Sequence, residues 1–428
     1  MTDRAARRTL HLARPLLLLL ALTPAALGQK KDEVPKNHPS TDPYTQGDPT
    51  RMVEAGIYSM GGFDFGRTDT AEIDEWMAQA DIRWIETEHF EIGFALGPIK
   101  VKRADLKVIG PELDELRTVL PEVPEKPKRL DVWLRAHLFA LRCEKLYARA
   151  QDLLGVTDAD FPDRPLDFYS YDQKYMGMGP YLGQKSKYEV LILPSETLAK
   201  EYNIKHYGIS VVDTQRWNMV DRGALTVTVT GDGYLAKSDL ALYGHLAFQL
   251  AVNLLDGYKM YTYEVPIYFR EGLAHVFERE VQPDFNSFDA DEGSTAEVSR
   301  EDDWIGEVRD LIKSEEATSL SKLTRLRSYG EMTLEDHYSA WSKVQYMAYA
   351  HPEATAKFLD RIAGLMNDQH VPDGSNLLDH HRDAVQEFFG MSYAQFDAAW
   401  AAWVQSPEAE AAQASLAERY EALAEAER

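Results

Sequence analysis

The stretch Leu242–Leu255, LYGHLAFQLAVNLL, is apolar on nearly every side of a helix, yet it carries His245 and Gln249 one helical turn apart. Residues four apart share a face, so the pattern predicts a helix wrapped by protein with two polar side chains aimed the same way. Ser238 is its expected N-cap, with Asp239 in the first turn. A second helix is expected in Val265–Glu280, VPIYFREGLAHVFERE, starting shortly after a proline. Upstream, period-two alternation and short apolar runs predict strands at Ile82–Phe94, at Tyr188–Pro194 and in ALTVTVTGDGY. In the last of these Leu225, Val227 and Val229 alternate with Thr226, Thr228 and Thr230, a regularity expected of a strand that is not buried on both faces. A long helix is expected at about Lys128–Leu154. Beyond the acidic loop QPDFNSFDADEGSTAEVSRED the chain reads as helical almost to its end, with Gly390 between two closing helices that set Trp400 and Trp403 on one side. The final Ala/Glu-rich stretch carries only a thin stripe of Leu416, Tyr420 and Leu423, as expected of a surface helix that frays.

The first residues change the picture. Arginines at 4, 7, 8 and 14 precede an apolar run from Leu16 to Leu27 and the small residues Ala26 and Gly28, the pattern of a secretory signal peptide over 1–28 with cleavage after Gly28. The run is shorter than the roughly 20 residues that span a bilayer. The mature chain is therefore expected to be secreted or periplasmic with no membrane span; Arg7-Arg8 permits a twin-arginine route, but ordinary secretion fits the strongly apolar run better. The whole chain carries a net charge of −24, and removal of four arginines and one aspartate leaves −27, which argues against nucleic acid as a partner. With 44% hydrophobic residues there is ample material for a core, and a lone cysteine, Cys143, excludes an internal disulfide. Gln29 to about Thr50 lacks apolar periodicity and reads as a flexible leader. The expected organisation is a signal over 1–28, a leader and lead-in segment over 29–80, a sheet-plus-helices lobe over 81–280, a helical lobe over 281–405 and an acidic helical tail over 406–428.

A first His, a position four later, then an acidic residue in REGLAHVFE resembles the gluzincin metallopeptidases of the peptidase MA-like branch. ETEHFEI is similar to that family's opening strand, LTVTV to the strand along which substrate lies, and AVQEFFGMSYAQFDAAW to its helical close. The resemblance covers Ile82 to Val404 and implies an α+β, thermolysin-like fold: a small mixed sheet, a buried active-site helix and a mainly helical C-terminal lobe. It also implies that His245 stands at the first zinc ligand and Glu271 at the third, with Val227, Thr228 and Val229 along the substrate-binding edge.

The departures decide the function. Leu246 stands where the family has its general base, and Gln249 where it has the second His. A leucine cannot take a proton from a metal-bound water, and a neutral amide is a poor zinc ligand beside imidazole. His275 occupies a position where many relatives carry an acidic group that orients a ligand. His245, Gln249, Glu271 and His275 are thus expected as a vestigial metal site with no metal and no catalytic residue, cross-linking the two helices by hydrogen bonds. Without the family pattern the same residues read as a buried His and Gln satisfied by local backbone groups. A third arrangement would use His245, Glu271 and His275 as a rearranged zinc set.

Other signals carry less. GMGPYLG precedes a strand and reads as a turn, not a phosphate loop. DADEG has its glycine one position too early for an EF-hand. In DHHRD, Asp379 is expected as a helix cap and the two histidines as exposed. The functional expectation is a pseudopeptidase that binds a polypeptide partner; an active metal-dependent hydrolase with a rearranged site and a structural envelope protein are the alternatives.

Overall fold

The computed structural model describes residues 41–233, 235–283, 286–288 and 303–426. The expected signal, the first part of the leader and the DADEG motif lie outside them. The fold is mixed α+β. Its centre is a sheet of five strands, β1 (Arg83–Glu86), β2 (Phe90–Phe94), β3 (Tyr188–Leu193), β4 (Gln215–Met219) and β5 (Ala224–Thr230), in the order β1-β2-β3-β5-β4. The β2, β3 and β5 strands run parallel, while β1 and β4 are antiparallel to their neighbours at the two edges.

The longer helices are α1 (Leu106–Val119), α2 (Val132–Leu154), α3 (Glu196–Tyr207), α4 (Asp239–Gly257), α5 (Ile267–Val281), α6 (Trp304–Lys313), α7 (Leu334–Ala350), α8 (Pro352–Ile362), α9 (Leu377–Phe389), α10 (Tyr393–Val404) and α11 (Leu416–Ala426), with shorter helices before and between them. One face of the sheet, through Ile92, Val190, Ile192, Val227 and Val229, packs on Leu242, Leu246 and Leu250 of α4 and on α2. The opposite face, through Trp84, Leu191 and Leu193, is covered by Phe65, Ile73 and Tyr202. The first core runs on through Phe277, Trp341 and Phe358, so the expected boundary near 280 divides no core. None of the described helices is long and apolar enough to cross a membrane.

Several expected elements form where the pattern places them. The Ser238 side chain caps α4 by accepting from the Ala241 N–H, and Gly390 ends α9 at φ 69°. That conformation costs glycine little, which is why the two closing helices part there.

Other expectations are corrected. Ile82–Phe94 is not one strand but a hairpin, turned at Thr87–His89, with Arg83 opposite Phe94. The leader does not extend to Thr50. Asp42 is fully buried, accepts from Thr45 and pairs with His137 Nε2 at 3.0 Å, while the Tyr44 hydroxyl donates to Asp131, the cap of α2. Val227, Thr228 and Val229 are not at an edge: β5 lies inside the sheet, between β3 and β4, and all three residues are fully buried. The threonine face is polar without being solvated, because Thr226 donates to the buried Glu189, which also receives the Gly66 N–H and pairs with Arg222. In DHHRD, Asn376 is the cap, and His381 is fully buried between the hydroxyls of Tyr268 and Tyr393 at 2.7 and 2.6 Å. Burial pushes its pKa down to about 3.

Candidate functional site

Every residue of α4 except Leu240 is buried, so its polar side chains need protein partners. His245 has them at both ring nitrogens: Nδ1 lies 2.7 Å from Ser287 Oγ and Nε2 lies 2.9 Å from Thr214 Oγ1. The Ser287 hydroxyl donates to Glu278 Oε1 at 2.5 Å, so its oxygen accepts from Nδ1–H, while Nε2 is hydrogen-bonded with the Thr214 hydroxyl. Both ring nitrogens are thus engaged. One turn on, Gln249 Oε1 accepts from Arg216 Nη1 at 2.5 Å, tying α4 to β4. Leu246 is fully buried in the hydrophobic core.

His245 and Gln249 line a cleft of about 310 Å³, together with Thr214, Thr230 and Phe288. It lies where β5 ends and β4 is about to begin, and Glu196, Asp213 and Asp232 add carboxylates to its wall. Of the expected substrate strand, Thr230 lines the cleft, whereas Val227, Thr228 and Val229 are not among its lining residues. A larger cavity of about 810 Å³, between the end of α2 and α8, contains none of the residues singled out by sequence.

Glu271 and His275 lie on α5, four apart and fully buried. They group with a residue that sequence reasoning did not mark, His337 on the first turn of α7, and ligand atoms of the three lie within 4.8 Å of one another. His275 Nε2 is 3.2 Å from His337 Nδ1. The expected rearranged set of His245, Glu271 and His275 is therefore revised: His337, not His245, completes the group. The three residues form a group able to hold a metal ion.

The approach of α7 depends on Gly272, because a Cβ there would lie 2.7 Å from the carbonyl oxygen of Ala340. Around His275 the rings of Phe248, Phe288 and Trp304 stand with centroids 5.1, 5.4 and 4.7 Å away. Burial, reinforced by His337 and the positive charge of Arg279, holds the His275 pKa well below the usual imidazole range. Glu278 is fully buried, accepting from the N–H and hydroxyl of Ser287, which also contacts His245, and lying 3.6 Å from His275 Nδ1. Burial raises its pKa to about 8 against the opposing effect of the Ser287 bonds.

A second group of potential ligands, Glu88, His89 and Asp158, has its carboxylates exposed. Its histidine is engaged at Nδ1 by Glu144 at 2.6 Å and stacks on Tyr147. Burial alone would lower the His89 pKa, but the hydrogen bond and charge of Glu144 hold it above the ordinary value, as an ion pair requires. No protein-family model matches this sequence, and no curated protein matches it.

Proposed function

We propose that this protein is a gluzincin-like chain without hydrolytic chemistry that binds an extended polypeptide in the cleft beside β4, after export directed by residues 1–28. The observation that carries the reading is the pairing of that cleft with a sheet edge: His245 and Gln249 line it, and the edge strand β4 begins one residue beyond Thr214. Among the described strands, β4 has a neighbour on one side only, and such an edge accepts an added strand through backbone hydrogen bonds that need no catalytic base. The helix pair supports the gluzincin resemblance by order and burial. Leu246 in the base position and the engaged nitrogens of His245 argue against a catalytic zinc shared with Gln249 and Glu271. The carboxylates of Glu196, Asp213 and Asp232, on a chain of net charge −24, favour a cationic partner.

The test uses lysozyme reduced, blocked with iodoacetamide and labelled with fluorescein as an unfolded cationic polypeptide. Saturable binding by fluorescence anisotropy is expected, with no cleavage products by mass spectrometry. Thr214→Trp, which fills the cleft, is expected to weaken binding at least about tenfold, a loss of about 1.4 kcal/mol, with its circular dichroism unchanged. Cleavage of the probe, or undiminished binding by the folded variant, overturns the reading.

A further inference from the structure

We propose that Glu271, His275 and His337 hold a zinc-class divalent metal ion that fastens α5 to α7, at a site distinct from the His245–Gln249 position. The ligand types suit such an ion: two imidazoles and one carboxylate are a common set for zinc and its neighbours in the first transition row. The spacing suits it as well. Two nitrogens each bound at about 2.0–2.1 Å to a tetrahedral ion stand about 3.3–3.4 Å apart. His275 Nε2 and His337 Nδ1 are 3.2 Å apart, a pair joined by a hydrogen bond whose proton a metal ion would displace. A Glu271 carboxylate oxygen completes the group, the ligand atoms of the three residues all lying within 4.8 Å of one another.

A second observation is independent of that convergence. A metal-binding histidine turns its remaining ring nitrogen toward a carboxylate, which fixes the tautomer and the ring plane. Glu278 Oε2 stands 3.6 Å from His275 Nδ1, the nitrogen on the side away from His337. Glu278 is in turn held by the backbone N–H and hydroxyl of Ser287. At 3.6 Å the Glu278 carboxylate is near Nδ1 but beyond hydrogen-bond length, so a small turn of the His275 ring on metal binding is what would bring the two together.

The scaffold is rigid in the places that matter. Glu271 and His275 project from one face of a helix, and Gly272 between them admits the backbone of α7 to contact distance. His337 follows a capping box in which Thr333 and Asp336 fix the first turn of α7. All three ligands are shielded from solvent, and Phe248, Phe288 and Trp304 close around His275. A buried ion without an open cleft is a structural ion: it enters as the chain folds and leaves slowly. The inference holds whether or not the cleft binds a polypeptide.

The test is metal analysis of the whole protein, purified without chelators or a histidine tag from cells supplied with zinc. About one ion per chain is expected by plasma mass spectrometry. His337→Ala and Glu271→Gln are expected to lower the content at least about tenfold, while His245→Ala retains it. Cobalt(II) added during refolding should give the visible bands of a low-coordinate nitrogen and oxygen site in the wild type, and not in His337→Ala. A metal-free wild type, or a folded His337→Ala that keeps its ion, overturns the proposal. Loss of the ion on His245→Ala with retention in His337→Ala also overturns it and places the ion in the cleft. Should His337→Ala fail to fold, thermal melts of the wild type decide: a midpoint lowered by prolonged chelation and restored by zinc supports the site, and an unchanged midpoint overturns it.

Discussion

Two buried histidines on adjacent helices, His245 and His275, live in opposite chemical surroundings. His245 borders a cleft and has a hydroxyl on each nitrogen, Thr214 on one side and Ser287 on the other. His275 is sealed among aromatic rings and faces a second imidazole, with carboxylates of Glu271 and Glu278 near it. Hydroxyls can serve as donor and acceptor at once and so saturate an imidazole. Two imidazoles and a carboxylate offer a cation several lone pairs at one point. The difference shows that the presence of a histidine at a family-like position says little about metal chemistry until the neighbours of both its nitrogens are known.

The comparison can be broken most severely through Gly272. A Gly272→Ala side chain meets both the Ala340 carbonyl oxygen and Val344 Cγ2 at 2.7 Å, so α5 and α7 must separate. A loss of about 3 kcal/mol is expected in urea unfolding, together with any metal content, while the cleft around His245 survives in the folded fraction. Equal stability of variant and wild type would show that the two helices have slack at this crossing.

Ser287 sharpens the comparison because its side chain touches both regions. Ser287→Ala removes the bridge between His245 Nδ1 and Glu278 Oε1. A cost of about 2 kcal/mol is expected, as the buried His245 Nδ1 loses this hydroxyl and Glu278 keeps only the backbone N–H of residue 287. In nuclear magnetic resonance the ring nitrogens of His245 should shift strongly, and those of His275 more weakly. Shifts confined to His245 would show that Glu278 does not transmit between the sites.

A control outside both regions is needed for any pH series. Glu91 lies opposite Glu189 in the sheet, and burial, then the charge of Glu189, raises its pKa to about 8. The folded state therefore keeps this proton up to about pH 8, whereas the unfolded chain releases it near the ordinary value of 4.5. Stability from this group is present at low pH and declines as pH rises from 4.5 through 8. Glu91→Gln abolishes that decline, so the variant should match the wild type near pH 4 and exceed it by about 1.5 kcal/mol near pH 9, after discounting for partial exposure. Parallel stability curves for the two proteins would exclude Glu91 as a titrating group in this range.

Much of the scaffold was legible in the sequence because its signals are local. The wrapped α4 with its Ser238 cap, the start of α5 beside Pro266 and the Gly390 break all follow from neighbouring residues. The mixed α+β class was legible for the same reason. What failed depends on contacts between distant segments. Alternation of Val and Thr in β5 fits a solvated face equally well, and nothing local announces that Glu189 and Arg222 will make that face an interior one. His337 was invisible as a partner of His275, since they meet only where Gly272 lets α7 close in. Its one sequence trace is the Thr333–Asp336 capping box, which marks a helix start but not its neighbour.

The docking of Asp42 on His137 has a practical bearing on how the protein is produced. A shortened version beginning at residue 51 would look reasonable from composition, since beyond the apolar run at 16–27 it discards only a polar stretch. It would also remove Asp42, the buried carboxylate bonded to His137 in the second turn of α2, and Tyr44, the hydroxyl donor to Asp131 at that helix's start. Recombinant versions that keep Thr41 onward should express and refold better than those that do not, and a purification tag belongs before that point.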